Sequence, residues 1–345
     1  MIKINTFAFF SILCAVLPVV SYAAEGADYS SEPTGFLRFI VIGDTGTGGD
    51  GQHQVADAIR AVCQSRGCDF ALGLGDNVYE HGVKSGSDAQ FESKFEIPYA
   101  ELNFPFYMVI GNHDDPTAEK ELAGESLSGG YEVQYTYDKG KGKGNKDGKW
   151  QMPGRYYRVD LPDAPHPLAT FLAIDGAPLA GPADTQYSAS QKAYRDQQGA
   201  WLDTQFAQSD ARWKIVFGHF PLYSNGRHGN AGNYGGHKNQ GILYKNLLTD
   251  HVCGKADLLF AGHDHNLQWL RPVAECGNTT EIISGAGAKE TALADKERNP
   301  AIWQAGDTLG FLYVVLSADT LRGTVYTVDK NDGHYEAAFG SSMHK

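Results

Sequence analysis

Five apolar runs, rich in β-branched and aromatic residues, punctuate the chain, and each ends at a glycine followed at once by a polar side chain able to bind metal. They are FLRFIVIG before Asp44, FALGLG before Asp76, FPFYMVIG before Asn112, WKIVFG before His219 and ADLLFAG before His263. Runs of this length and composition predict strands buried on both faces. The terminal glycine lets the backbone turn where a side chain would obstruct it. Between the runs, apolar positions recur at helical spacing: Val55, Ile59 and Val62 within Gln52 to Ser65; Tyr194, Trp201, Leu202 and Phe206 within Ser188 to Gln208; Ile242, Leu243, Leu247 and Leu248 within Gln240 to His251. Strand and helix alternation predicts an α/β sheet whose ligands collect outside the carboxyl ends of its strands. On this reading the five residues after glycine share the strand ends of one sheet.

The pattern changes toward the C-terminus. Glu281 to Ser284, Phe311 to Ser317, Thr324 to Val328 and Tyr335 to Phe339 read as short successive strands, with turns at Ala318-Asp319 and Asn331-Asp332-Gly333. They predict a second, largely antiparallel sheet packed on the first within one domain. The lysine-rich segment from Asp138 to Lys149 has nothing to bury and predicts an exposed loop.

Composition narrows the class. Hydrophobic residues make up 42% of 345 positions, enough for a large core, which excludes global disorder. A formal charge of −12 argues against a nucleic-acid surface, because affinity for phosphate backbones rests on clustered Lys and Arg. Lys3, the apolar stretch Phe7 to Val20 and the small residues Ser21 and Ala23 before Ala24 read as a cleaved secretory signal over residues 1–23, with residues 24–345 as the mature domain. The alternative is an N-terminal anchor, but no charge cluster of the stop-transfer kind follows. Secreted or periplasmic export makes disulfides expected, and the four remaining cysteines pair most simply as Cys63 with Cys68 and Cys253 with Cys276.

The polar residues carry weight as a set. GDTG, GDNVY, GNHD, GHFP and GHDH bring carboxylates, a phenol, an amide and imidazoles to strand ends, more donors than one tetrahedral zinc uses. Two ions sharing a carboxylate fit better. Oxygen donors Asp44, Asp76, Tyr79 and Asn112 mixed with His219, His263 and His265, with no thiolate, suit iron, manganese or zinc. In a two-metal site, a hydroxide held by the pair attacks phosphorus while the ions neutralise charge on the substrate oxygens.

The ordered series GDTG, GDNVY, GNHD, GHFPLYS and AGHDHNLQ resembles the calcineurin-like metallophosphoesterases, and within them the small, tartrate-resistant purple acid phosphatases. The resemblance extends from about Phe36 to about Phe339 and includes WQMPGRYYRV from Trp150, Trp201-Leu202 ahead of GHFP, ISGAG from Ile283 and GFLYVVLS from Gly310. It implies a four-layer α/β/β/α sandwich of two packed mixed sheets with a dinuclear metal site at strand carboxyl ends. It also implies the ligand sets. Asp44, Asp76, Tyr79 and His265 would hold Fe(III), and Asp76, Asn112, His219 and His263 would hold Fe(II), Zn or Mn, with Asp76 bridging. His113 and His228 match positions that contact the phosphate or its leaving oxygen, and an imidazole there can donate a proton. The other histidines, His237 among them, have no motif support.

The implied activity is hydrolysis of phosphate monoesters at acid pH, on small phosphorylated substrates, phosphoproteins or nucleotides. The alternatives are a phosphodiesterase or nucleotide pyrophosphatase of the same superfamily, or a non-catalytic metal- or phosphate-binding protein, against which the full set of ligand residues speaks. Two departures bear on substrate preference. GDTGTGGDG replaces a tryptophan-containing turn of the mammalian enzymes, and the lysine-rich segment has no counterpart there. The Gly176 to Ser190 region aligns with a loop that overhangs the site in those relatives.

Overall fold

Alternate positions along the buried strands face different cores. In the strand Ala169–Ala173, Ala169, Phe171 and Ala173 pack in one apolar cluster while Leu172 packs in another. The same split separates Ile215 and Phe217 from Val216, and Leu258 and Phe260 from Leu259. Such strands are apolar on both faces because a sheet covers one and helices the other. The computed structural model describes residues 35–116, 118, 128–137, 148–162, 165–181 and 187–345. Residues 1–23, read from the sequence as a signal, most of the lysine-rich segment and part of the Gly176 to Ser190 region lie outside the described residues.

Two seven-stranded mixed sheets pack face to face. The first takes β1 (Leu37–Ile42), β2 (Phe70–Gly73), β3 (Phe106–Met108) and β4 (Trp150–Gln151) in parallel. It continues on the other edge of β1 with β12 (Leu309–Leu316), β13 (Thr320–Val328) and β14 (Tyr335–His344), all antiparallel. The second orders β11 (Ala301–Ala305), β9 (Leu267–Leu270), β10 (Thr280–Ser284), β8 (Leu258–Ala261), β7 (Trp213–Phe217), β6 (Ala169–Ala173) and β5 (Tyr157–Leu161). Phe39 and Phe70 of the first sheet meet Phe171 of the second edge-on at 5.6 and 5.4 Å, and Phe260 closes on Phe39 at 6.4 Å. Edge contacts of this kind add about 0.5–1.5 kcal/mol per pair beyond area burial.

Helix α1 (Asp50–Arg66) packs on the first sheet, burying Val55, Ile59 and Val62. Helix α2 (Ser128–Tyr137) lies beside β4. Helices α3 (Ala189–Gln208) and α4 (Ile242–His251) pair with one another over the second sheet, burying Leu202, Leu247 and Leu248. Ser188 begins α3 with a reciprocal cap: its hydroxyl accepts the Gln191 N–H while the Gln191 side chain accepts the Ser188 N–H. Cys63–Cys68 closes the turn from α1 into β2, and Cys253–Cys276 ties the end of α4 to the approach to β10.

Two expectations need correction. The residues after glycine do not line the end of one sheet: Asp44, Asp76 and Asn112 follow strands of the first sheet, and His219 and His263 follow strands of the second. Nor do the C-terminal strands build a separate antiparallel sheet. β10 runs parallel to β8 in the second sheet, while β12 to β14 complete the first. The reason lies in β12, whose LGFLYVVL is buried at every position. So apolar a strand belongs at a sheet centre, and it serves as the second neighbour that β1 also requires.

Candidate metal centre

The carboxyl ends of β1 to β3 and of β7 and β8 converge from the two sheets. Asp44, Asp76 and His263 take positive φ angles of 60, 53 and 67°. Non-glycine residues rarely adopt this region, and such strain collects at functional sites. Close approach sets the glycines: a Cβ on Gly111 would stand 2.2 Å from Asp76 Oδ1. Only glycine lets the third loop pass so near the second.

Two groups of donors result. In one, the Tyr79 hydroxyl lies 3.2 Å from Asp44 Oδ1 and 3.2 Å from His265 Nε2, which is itself 3.4 Å from Asp44 Oδ1. In the other, His219 Nε2 lies 3.1 Å from Asn112 Oδ1, 3.2 Å from His263 Nδ1 and 3.4 Å from Asp76 Oδ1. Asp76 stands between them, in contact with Tyr79 as well as His219. Donor atoms of Asp44, Asp76 and His219 fall within 4.8 Å of one another, and all three residues are buried.

The chemistry of this donor set fits cations. His219 Nδ1 faces the Leu74 carbonyl at 2.8 Å, which can only accept, so Nδ1 carries the proton and the Nε2 lone pair points at Asn112 and Asp76. Acceptors therefore face acceptors at 3.1–3.4 Å. Donors about 2 Å from a shared ion stand about 3 Å apart, so the spacing suits coordination. The surroundings also favour positive charge: burial disfavours a protonated His219, but Asp76 and Asp44 outweigh it and raise its pKa. Burial, reinforced by Asp44 and Asp76, raises the Tyr79 hydroxyl far above the ordinary phenol value. Buried among the neighbouring histidines, His263 is pushed well below its usual value and stays a neutral donor.

His113 and His228 flank the donors. The His113 backbone N–H donates to Asp76 Oδ1 at 2.9 Å, and its Nδ1 donates to the Glu80 carbonyl at 2.8 Å, leaving Nε2 directed inward, 4.0 Å from Asp76 Oδ2. The His228 ring lies 4.1 Å from that of His263, centroid to centroid. Burial lowers the His228 pKa, and Arg227 lowers it further against the opposing pull of Asp264. A cavity of about 640 Å³ opens beside this face, bounded by Asn112, His263, His228, Arg227, Tyr234 and His237.

Several supporting residues escaped the sequence reading. Asp114 accepts the Val78 and Gly111 N–H groups, each at 2.8 Å, locking the second and third loops together. Burial and the nearby Asp76 push its carboxyl up to about 7 despite those bonds. Asn77 reaches from the same loop to Val109 O, Asp114 and Glu132 of α2. Arg155 spans the two sheets' loops, holding Asp115 and Asp175 at 2.7 Å each. Asp114 and Asp264 lie inside the motifs, so position alone was their signal. Glu132 and Arg155 had none beyond a charge in an apolar setting.

The calcineurin-like phosphoesterase profile matches residues 37–267, and the chain belongs to that family. Within it, the chain is similar to several acid phosphatases. The chain is 31% identical over 284 residues to a rabbit (Oryctolagus cuniculus) tartrate-resistant acid phosphatase type 5, covering 76% of this chain and 75% of the relative. It is 30% identical to the Mus musculus protein of the same name, covering 75% of each, and 27% identical to Arabidopsis thaliana purple acid phosphatase 4, covering 94% and 89%. The resemblance to purple acid phosphatases is thus borne out, as is the two-sheet fold. Among solved structures, a Plasmodium protein described as GAP50, the anchor in the inner membrane complex, superposes with a TM-score of 0.66 at 21% identity, over 90% of this chain and 89% of its own. A yellow lupin (Lupinus luteus) purple acid phosphatase superposes at 0.58 with 15% identity, over 90% and 54%. The chain is a metal-binding hydrolase of the metallophosphoesterase type.

Proposed function

We propose that the protein hydrolyses phosphate monoesters at acid pH, using Asp44, Asp76, Tyr79 and His265 to hold ferric iron and Asp76, Asn112, His219 and His263 to hold Fe(II), Zn or Mn. The observation that carries this reading is the facing of lone-pair donors across two adjoining groups that share Asp76. Bound ions supply acidified water and neutralise charge on the phosphoryl oxygens.

The chain's own residues supply the rest. Hydrolysis adds a water oxygen to phosphorus and breaks the bond to the leaving oxygen, which takes up a proton. His113 is suited to give it: with Nδ1 tied to the Glu80 carbonyl, the labile proton of its imidazolium sits on Nε2, on the side of Asp76. His228, its ring tilted against that of His263, is suited to contact the phosphoryl group. Asp114 braces the loops around His113 and Asp264 accepts the His228 N–H at 3.0 Å, so both imidazoles are held before substrate arrives.

Export completes the reading: the two disulfides suit a secreted or periplasmic protein. Among the described residues no helix is long and apolar enough to cross a membrane. The test is metal analysis of the purified protein with rates on phenyl phosphate and diphenyl phosphate, before and after chelation. Two ions and faster monoester cleavage, lost on chelation, are expected. Faster diester cleavage would overturn the monoesterase assignment.

A further inference from the structure

The cavity beside the metal donors is walled on its outer side by a loop that the sequence reading used only for His228. This loop, residues 224–241, is rigidly framed. Arg298 donates to the carbonyls of Ser224 at 2.7 Å and Gly226 at 2.8 Å, and Asp264 accepts the His228 N–H at 3.0 Å. The Gly235 N–H closes onto the His228 carbonyl at 2.7 Å, and the Asn239 N–H onto that of Gly232 at 3.0 Å. The frame presents Arg227, exposed, next to His228 and on the cavity that His237 also lines.

The cations around the site differ in their partners. Lys289 lies over the Tyr79 ring and pairs with Glu80 at 3.3 Å, and Arg155 is taken by Asp115 and Asp175. Arg298 is spent on the loop backbone. Arg227 alone of these four has no carboxylate or carbonyl partner among the described residues, and it borders the same cavity as Asn112 and His263. A guanidinium is a planar, permanently charged fork that matches carboxylate and phosphate oxygens. In a chain of net charge −12, a free cation at this point also offsets the repulsion met by a polyanionic substrate.

We propose that Arg227 is a specificity-determining residue that, with His237 lining the same cavity, binds a second anionic group of the substrate. The protein would then favour phosphorylated compounds whose leaving group carries its own phosphoryl or carboxylate group over those with a neutral one. This rests on the phosphatase reading of the adjoining donors. With ADP, water adds to the terminal phosphorus, the bond to the bridging oxygen breaks, and that oxygen leaves with a proton as part of AMP.

The test compares kcat/KM on ADP, glycerate 3-phosphate and phenyl phosphate for the metal-loaded wild-type protein and for Arg227→Ala, Arg227→Gln and Arg227→Lys. The ratio of kcat/KM for an anionic leaving group to that for phenyl phosphate should fall about tenfold in Arg227→Ala and Arg227→Gln, through KM. Arg227→Lys should recover part of it. A fall confined to ADP identifies the second group as phosphoryl; one confined to glycerate 3-phosphate identifies it as carboxylate. Ratios that stay at the wild-type value for both, or a loss that falls equally on all three substrates, would overturn the proposal. Absence of wild-type turnover on every monoester would instead overturn the phosphatase reading. The subsite would then be judged by calorimetric titration with pyrophosphate and inorganic phosphate: Arg227→Ala should erase about tenfold of the preference for pyrophosphate, and an undiminished preference would refute it.

Discussion

Asp264 accepts the backbone N–H of His228 at 3.0 Å, so the residue lying between His263 and His265 also fixes the loop that carries His228. Its other oxygen takes the Ser224 hydroxyl in a short hydrogen bond. A Cβ on Gly226 would stand 2.2 Å from Asp264 Cγ, so glycine is what allows the loop to settle onto this carboxylate. The side chain is fully buried. One carboxylate thus ties the segment after β8, which carries His263 and His265, to the loop that carries His228.

Asp264→Asn should lower kcat/KM on phenyl phosphate about tenfold with both ions retained, since the amide keeps one acceptor but turns a donor toward a donor. The stability cost should be about 1–3 kcal/mol, the usual loss for a buried group left unsatisfied. Metal analysis beside denaturant unfolding checks it. Loss of the ions with the loop intact would mean that Asp264 serves the metal donors alone.

Asp76→Ala should reduce metal content far more than His113→Ala. Asp76 touches both donor groups, whereas His113 meets Asp76 through its backbone N–H and is tied by its ring to the Glu80 carbonyl. His113→Ala should keep its ions and lose turnover by about 10²-fold or more, the ordinary scale of a general acid. A metal-free His113→Ala protein beside a fully loaded Asp76→Ala protein would reverse the assignment.

Glu281 gives a pH dependence away from the metal donors. It is buried, and its carboxylate accepts the N–H groups of Leu222 and Tyr223 at 2.7 and 2.8 Å. Burial outweighs those bonds and pushes its pKa up to about 8. The unfolded value is about 4.3, so between the two the native state binds more protons than the unfolded state. Its contribution is therefore complete below the unfolded value and is lost as pH rises toward 8. Glu281→Gln should flatten that decline, measured by denaturant midpoints from pH 4 to 9. An equal slope in variant and wild type would contradict it.

The legible part of this fold was the part whose signal is local. A strand buried on both faces must be apolar throughout, and a ligand after it needs a sharp turn, so run, glycine and donor appear together in the sequence. Sheet membership is not local. Nothing in GFLYVVLS names β1 as its neighbour, and the choice is made by what β1 still lacks once β2 is paired. Helix α2 was missed because SGGYEVQYTY, with two glycines, is a poor helix former. Tertiary contacts sustain it: Tyr135 stacks on Phe91 at 3.8 Å, the Trp150 indole donates to the Glu132 carbonyl, and the Thr136 hydroxyl donates to Met152 O. Glu132, and with it the buried network behind Asp76, was hidden for the same reason.

Tyr79 joins colour to protonation. Its hydroxyl is held protonated in the metal-free chain by burial and by Asp44 and Asp76, so phenolate forms only when a strongly charged cation takes the proton's place. Metal-free protein should be colourless. Ferric iron should bring a visible absorption together with proton release, read by spectrophotometry and by pH change in weakly buffered solution. Tyr79→Phe keeps the ring that packs against His113 at 4.5 Å but removes the oxygen 3.2 Å from Asp44 and His265. It should bind iron without the band and without that proton. Because a ferric ion acidifies water more strongly than a divalent one, the wild-type rate on monoesters should peak on the acid side. A visible band that survives in Tyr79→Phe would place the phenolate elsewhere, and a colourless ferric protein with full activity only at alkaline pH would remove iron at Tyr79 from the mechanism.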